Sequence, residues 1–367
     1  MLARLKHDKR SAWIAFVLLG ILLAFLPFLV DAGLGRSWMR ILDFALLYIM
    51  LALGLNIVVG YAGLLDLGYI AFYAVGAYLY ALLASPQFGF HLPFWLLLPL
   101  GALVAGLFGV LLGAPTLRLR GDYLAVVTLG FGEIVRIFMN NLDAPVNITN
   151  GPQGISSIDP ISIAGVSLGQ THEFAGISFS SAHNHYYLFL ALTLLVIFIS
   201  MRLQDSRIGR AWAAIREDET AAEAMGINTR NVKLLAFAMG ASFGGLSGGL
   251  FAGFQGFVSP ESFNLLESIM ILCMVVLGGM GNIRGVVLGA FLLTVLPEAL
   301  RSIGDFQRWY FQRIIVDPAD LRMLLFGLAL VLMMLFRPEG MIPSAQRKRE
   351  FKHDGAEEPP PLYDQQK

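Results

Sequence analysis

Residues Ser11 to Val30 read SAWIAFVLLGILLAFLPFLV, an uncharged run that directly follows the basic residues Arg4, Lys6, Lys9 and Arg10. A hydrocarbon core about 30 Å thick is crossed by roughly 20 apolar residues at 1.5 Å each. The run is therefore expected to be a membrane-spanning helix. A cleaved signal peptide would have a shorter apolar region followed by a small-x-small site. Here Asp31-Ala-Gly-Leu-Gly35 follows a full-length run, and many more runs come after it, so the first span is read as retained. The same criterion, carried outward along the chain, predicts spans at 39–60, 66–84, 92–114, 122–140, 186–203, 233–256, 264–281, 285–301 and 321–337. The fold class expected is all-α: a polytopic membrane protein of about ten helices.

Composition supports this reading. The 367 residues are 56% apolar and 14% charged, with mean hydropathy +0.67. A soluble protein carries about 25% charged residues, so the excess apolar surface faces lipid. The formal net charge of zero carries no signal of a nucleic-acid partner, and none is expected. The single cysteine, Cys273, excludes an internal disulfide and any multi-cysteine metal site. It reads as a small buried apolar residue.

Lysine and arginine are enriched on cytoplasmic loops. With the N-terminus in the cytoplasm, nineteen of the 26 cations fall on inner segments: the N-terminal stretch, Arg118 and Arg120, the loop 204–232, Arg284 and the tail. The split supports an even number of spans with both termini cytoplasmic. Residues 1–337 form the expected transmembrane domain, with an outer, periplasmic loop at 141–185 and an inner loop at 204–232. His183 and His185 are expected to be exposed in the outer loop. The polar segment 338–367, with Pro359-Pro360-Pro361, is expected to be a disordered cytoplasmic tail.

The inner loop holds a run of helix formers from Asp205 to Met225, with Gly226 as a stop and Asn228 just beyond. Ala211, Trp212, Ile215, Ala222 and Met225 recur near helical spacing. Two readings stay open on the residues alone: a solvated helix at the membrane surface, or a docking helix whose exposed Trp212 and arginines suit a protein interface.

Four-residue spacing of small residues lets helix backbones approach closely in lipid. Gly240, Gly244 and Gly248 form one such stripe, Gly245, Gly249 and Gly253 a second, and Ala105, Gly109 and Gly113 a third. Tight packing of the seventh and fourth spans is expected. Asp43 and Asp66 fall near predicted span ends, while Glu267 and Glu298 sit in the eighth and ninth. Glu133 and Arg136 share the fifth span at i, i+3 and can meet on one face. They either neutralise each other across a helix contact or line a solute path. Asn56 and Asp66 join them as path or gate candidates. No lysine follows a glycine, so the chain has no phosphate-binding P-loop. No nucleophile elbow or metal-ligand spacing appears, and a membrane enzyme finds no catalytic set here.

Five stretches in order carry a resemblance. They are Gly54-Leu-Asn56-Ile-Val-Val-Gly60-Tyr-Ala-Gly63-Leu-Leu-Asp66-Leu-Gly68; Gly121 to Arg136; Thr149-Asn-Gly-Pro-Gln-Gly154; Asp205 to Asn228; and Leu277-Gly-Gly-Met-Gly-Asn282-Ile-Arg-Gly285. Together they resemble the LivM-type permeases of high-affinity branched-chain amino acid ABC importers, over roughly residues 40 to 343. The resemblance implies a non-enzymatic transport subunit of the bacterial inner membrane working by alternating access. Its implied partners are a second homologous permease, two cytoplasmic ATPase subunits that hold the ATP and magnesium, and a periplasmic solute-binding protein. The chain itself is expected to bind no cofactor. The inner loop would couple to an ATPase, through Arg210, Trp212, Ile215, Arg216, Ala221, Ala222 and Gly226. Importers of this class carry a Glu-Ala-Ala pattern followed by glycine there. This chain has Thr220-Ala221-Ala222 before Gly226, so a role for that glutamate does not transfer. Related permeases import urea, short amides and other small solutes, which are alternatives to leucine, isoleucine and valine. A stand-alone secondary transporter is a further alternative. Whether 60–63 and 278–281 are loops or breaks within helices stays open, and their likeness suggests an internal repeat.

Overall fold

The computed structural model describes residues 20–311, except positions 21, 32, 34, 118, 120, 164, 175 and 176. Beyond these it describes positions 324, 327, 328, 331–333, 335–337 and 339–343. The start of the first predicted span, the remaining positions of the tenth and the tail after 343 lie outside the described residues.

Eleven α-helices organise the described chain. They are α1 (Leu22–Asp31), α2 (Arg36–Leu55), α3 (Ile70–Leu83), α4 (Phe94–Thr116), α5 (Asp122–Asn140), α6 (Ser181–Gln204), α7 (Arg207–Glu217), α8 (Glu219–Ala224), α9 (Thr229–Gln255), α10 (Leu265–Gly278) and α11 (Ile283–Phe311). Among the described residues, five segments are long and apolar enough to cross a membrane: Ser37–Tyr61, Phe94–Thr116, Ser181–Gln204, Thr229–Gln255 and Ile283–Arg301. The described positions from 324 to 336 are helical as well.

The helix ends follow local chemistry. Ser206, Asp218, Asn228 and Asn264 each accept a backbone N–H from the first turn of the helix that follows, satisfying donors that no turn above can reach. Gly256, in the left-handed region at φ 68°, ends α9, the conformation glycine adopts without Cβ strain.

Several boundaries differ from the hydropathy reading. α2 does not end in a loop at Gly60 but winds into a π-helical turn, Asn56–Tyr61, with every residue buried. The chain then runs without helical structure until α3 begins at Ile70, four residues after the predicted start. α6 begins at Ser181, five residues early, and takes up both histidines. The expectation that His183 and His185 are exposed is overturned: both are buried. His183 Nδ1 shares a hydrogen bond with Ser180 Oγ at 2.8 Å, and His185 Nδ1 with the Ser181 carbonyl at 2.8 Å. The Nδ1 atoms of both rings are satisfied inside the first turns of the helix, while His185 Nε2 is buried without a partner among the described residues. α11 continues ten residues past its predicted end, because helix formation outlasts the drop in hydropathy. Asp43 is not at a span end; it is fully buried within α2.

α9 is the central helix, packed on α2, α3 and α4. Gly240 lies against Gly54 and Val58, Gly244 against Tyr69 and Phe72, and Gly248 against the backbone of Tyr73 and Ala77. The second stripe faces elsewhere: Gly245 meets Gly101 and Ala105, Gly249 meets Tyr80, and Gly253 meets Ile161 and Tyr80. Gly109 of α4 sits against Phe237 and Ala241 of α9. With no Cβ in the way the backbones come within dispersion contact, which replaces the missing hydrophobic drive in lipid. Tyr69 crosses this contact, its hydroxyl donating to the Gly240 carbonyl at 2.9 Å.

Five short strands lie between α5 and α6 and a sixth follows α9; they form three two-stranded antiparallel pieces. β1 (Ile155–Ser156) pairs with β6 (Phe257–Val258), while β2 (Ser162–Ile163) pairs with β3 (Val166–Ser167) and β4 (His172–Phe174) with β5 (Ile177–Phe179). The β1–β6 pairing, Ile155 opposite Val258, ties this segment to the α9–α10 connection. The α7–α8 pair sits at the opposite end of the bundle, where α9 and α11 start. Leu103, Leu107 and Leu111 of α4 leave an exposed apolar stripe suited to lipid.

Candidate functional site

At the end that carries α7 and α8, the loop residues divide into two faces. Trp212 was expected to be exposed; it is 0% exposed. Its indole Nε1–H donates to the Val232 carbonyl at 2.7 Å, and its ring lies parallel to Tyr61 with centroids 6.5 Å apart. Arg216 Nη1 donates to the Gly60 carbonyl at 2.6 Å. Gly63, at φ 70°, packs under the Arg216 side chain, where any Cβ would collide. Ile215 and Ala222 are buried. Lys233 Nζ meets Glu219 Oε1 at 2.5 Å. Trp212, Ile215, Arg216 and Ala222 thus fasten α7 and α8 to their own bundle and are not offered outward. The expected single helix is two, hinged at Asp218, which caps α8 in an extended conformation.

The outward face holds Arg210, Ala221, Glu223 and Gly226, and above all Met225. Met225 is 83% exposed, the most exposed large apolar side chain among the described residues. Gly226, at φ 86°, ends α8 with its N–H on the Glu223 carbonyl, while Ile227 N–H reaches Ala222. That reversal leaves Met225 projecting. The sequence placed Met225 among the apolar positions of the helix, and its neighbour Gly226 was the signal that the chain turns away beneath it.

Arg216 leads directly to two helix breaks. Gly60, whose carbonyl it binds, packs against Gly281, and Asn56 Oδ1 accepts the Gly281 N–H at 2.8 Å. The two glycine-rich segments that looked alike in sequence therefore meet in space. One is a π-turn and the other a sharp interruption between α10 and α11. The second break is covered by residues 339–343. Met341 N–H donates to Leu277 O at 2.9 Å and Ile342 N–H to Gly278 O at 3.0 Å, satisfying the last carbonyls of α10. The part of the expected tail nearest the bundle is thus hydrogen-bonded to it.

The unwound stretch from Ala62 to Tyr69 is largely buried in the bundle, where each backbone group that lacks a helical partner needs another. Asp66 Oδ1 accepts Gly68 N–H at 2.9 Å, Leu67 N–H donates to Thr128 Oγ1 at 3.0 Å, and Ser268 Oγ donates to Leu67 O at 2.6 Å. α5 and α10 thereby clamp the stretch from both sides, and Gly68 lies directly on the Thr128 backbone. Sequence reading did not assign Thr128 or Ser268 to this site; a single hydroxyl in an apolar run carries no distinctive signal.

Farther along α5, Arg136 binds Glu133 through Nε, at 3.1 Å to each carboxylate oxygen, and through Nη2 at 2.5 Å to Oε1. It also reaches Glu261 with Nη1 at 2.9 Å. Leu67, Ile70, Leu129, Gly132, Phe263 and Leu265 wall a cavity of about 120 Å³ with Glu133 at its rim. Of the four path candidates, Arg136 binds Glu133 at the cavity rim, and Asp66 adjoins Leu67 of the cavity wall in sequence. Asn56 is separate, between the two breaks.

The model of the family described as branched-chain amino acid transport system, permease component, matches residues 37–334. The chain is similar to the high-affinity branched-chain amino acid transport system permease protein LivM of Escherichia coli (strain K12), at 43% identity over 90% of this chain and 75% of that protein. It is similar to the probable LivM permease of Methanocaldococcus jannaschii, at 28% identity over 67% of this chain and 68% of that one. The LivH permease of Salmonella typhimurium is 28% identical over 70% of this chain and 82% of its own length. No solved structure matches the chain.

Proposed function

The chain belongs to the permease-component family of branched-chain amino acid transport systems, and on that premise we propose that it is one of two unlike permease subunits through which leucine, isoleucine and valine cross the inner membrane. Similarity to both LivM and LivH supports a homologous second permease as its neighbour. Two cytoplasmic ATPases supply the energy, a periplasmic protein delivers the solute, and the permease pair alternates its access. The nineteen inner-segment cations support cytoplasmic termini and put α7 and α8 in the cytoplasm.

The observation that carries the coupling role is the division of faces on α7 and α8. One face is fastened to the bundle by Trp212, Ile215, Arg216 and Ala222, and the other presents Met225, Ala221 and Arg210 to solvent. A helix pair rigidly joined to two helix breaks and carrying an exposed apolar anchor suits the groove of a partner. ATPase movement on Met225 would pass through Arg216 to Gly60 and, across Asn56, to Gly281.

Affinity purification from native membranes tests the assembly. A second polytopic permease and P-loop ATPases in near-equal amounts, with ATP-dependent leucine uptake after reconstitution, are the expected result. A chain that purifies alone as a homo-oligomer and transports without ATP would overturn the reading.

A further inference from the structure

Glu133 interrupts an exposed apolar surface on α5 that includes Val126 and Ile137. Its side chain is 40% exposed and that of Arg136 23%, and ionised groups in spans face protein or water, not lipid. The cavity of about 120 Å³ opens beside them, between α3, α5 and α10. Its walls are aliphatic and aromatic: Leu67, Ile70, Leu129, Phe263 and Leu265. Gly132 adds no side chain and packs on Gly68, which keeps the space open. Apolar cavities of roughly 150 Å³ admit a benzene ring, so this one accepts a three- or four-carbon branched group and rejects an indole.

Among the described residues, two carboxylates, Glu133 and Glu261, share one guanidinium, that of Arg136, a net negative charge beside the apolar cup. That charge is complementary to an ammonium. A guanidinium has five N–H donors, and one on Nη1 and one on Nη2 remain beyond the bonds to the two carboxylates. A ligand with a short branched aliphatic end, an ammonium and a carboxylate matches all three features.

We propose that this pocket is a transit site within the membrane domain for an aliphatic α-amino acid. The side chain enters the cup between Leu129 and Leu265, the ammonium meets Glu133, and the carboxylate meets Arg136. The proposal rests on the permease reading above and adds to it a size filter in the permease itself, beyond any selection by a delivering protein.

The test uses the full complex in liposomes, with ATPases and binding protein. A wild-type complex that imports no leucine overturns the permease reading and the pocket with it. Where leucine is imported, a diazirine-bearing leucine analogue is photolysed during turnover. Label on peptides containing Leu129 or Phe263–Leu265 is expected; label recovered only elsewhere overturns the pocket alone. Filling the cup with Leu265→Trp or Leu129→Trp should lower the ratio of leucine to alanine uptake roughly tenfold. An unchanged ratio in both variants overturns the proposal. Should neither variant assemble, the photolabelling of the unaltered complex decides.

Discussion

Asn56 and Gly281, 225 residues apart, are joined by a buried hydrogen bond of 2.8 Å from the Gly281 N–H to the Asn56 carboxamide oxygen. One residue stands in the π-turn that ends the second helix and the other in the break between α10 and α11. The bond is the point at which two interruptions of regular helix share one partner. π-turns store an extra residue in a helix and recur at functional sites. Here the turn receives Arg216 on one side and Gly281 on the other.

Replacing Asn56 by leucine keeps the volume and removes the acceptor. The Gly281 N–H is then buried without a partner, at a cost of about 1–3 kcal/mol. A lowered unfolding temperature in detergent and slower leucine uptake are expected. Unaltered values for both would show that the bond between the breaks is dispensable.

Trp212 and Met225 should behave oppositely. Trp212→Ala removes a fully buried ring and is expected to cost about 3–5 kcal/mol, seen as rapid proteolysis within residues 204–232 of the permease alone. Met225→Asp alters an exposed side chain, so the permease should keep its melting temperature and lose co-purification of the ATPase. If Met225→Asp retains the ATPase in full, the outward face of α8 is not the coupling surface.

Asp218 provides a pH test. The backbone N–H groups of Ala221, and then Thr220, hold its carboxylate below the ordinary value of 3.8. A group whose pKa is lowered on folding stabilises the fold above its unfolded pKa, and the contribution fades as pH falls through the folded value. The α8 cap is therefore intact at neutral pH and weakens only below about pH 4. Protection of the 221–225 amides should be equal at pH 7 and pH 5.5 after correction for intrinsic exchange. Asp218→Ala should abolish it at both, while Asp218→Asn retains most of it.

Two adjacent glycines of α9 should tolerate alanine differently. A methyl at Gly248 meets the carbonyl of Tyr73, a backbone group that cannot rotate away. A methyl at Gly249 comes no nearer than 3.7 Å to its neighbours, Tyr80 and the Gly76 carbonyl, which is ordinary contact. Gly248→Ala is expected to lower the yield of folded protein sharply. Gly249→Ala should be neutral or stabilising by about 0.5–1 kcal/mol through the restricted unfolded chain. Equal melting temperatures for the two variants would contradict this packing.

What the sequence by itself determined is depth and punctuation. Apolar runs such as 92–114 and 233–256 appear as α4 and α9 with small shifts, because hydrocarbon thickness dictates helix length and hydropathy is a local property. The helix stop at Gly226, with Asn228 just beyond it, is equally local, closed by hydrogen bonds within a few residues. The residues of the site were mostly legible as types, since a glutamate and an arginine one turn apart in an apolar run are conspicuous. Their roles were not. Whether Trp212 faces out or in depends on the rotation of α7 about its own axis, and that rotation follows from Tyr61 and Val232, which belong to other elements. His183 and His185 looked like loop residues because polarity was judged without Ser180 and Ser181, which bind their Nδ1 atoms inside the helix. The contact of Asn56 with Gly281, the clamp of Thr128 and Ser268 on Leu67, and the second carboxylate on Arg136, that of Glu261, join residues from 61 to 225 positions apart. Only the tertiary structure decided these. Hydropathy marks which segments are long and apolar enough to cross a bilayer, but side-chain shape against neighbouring helices chooses which face of each helix meets which.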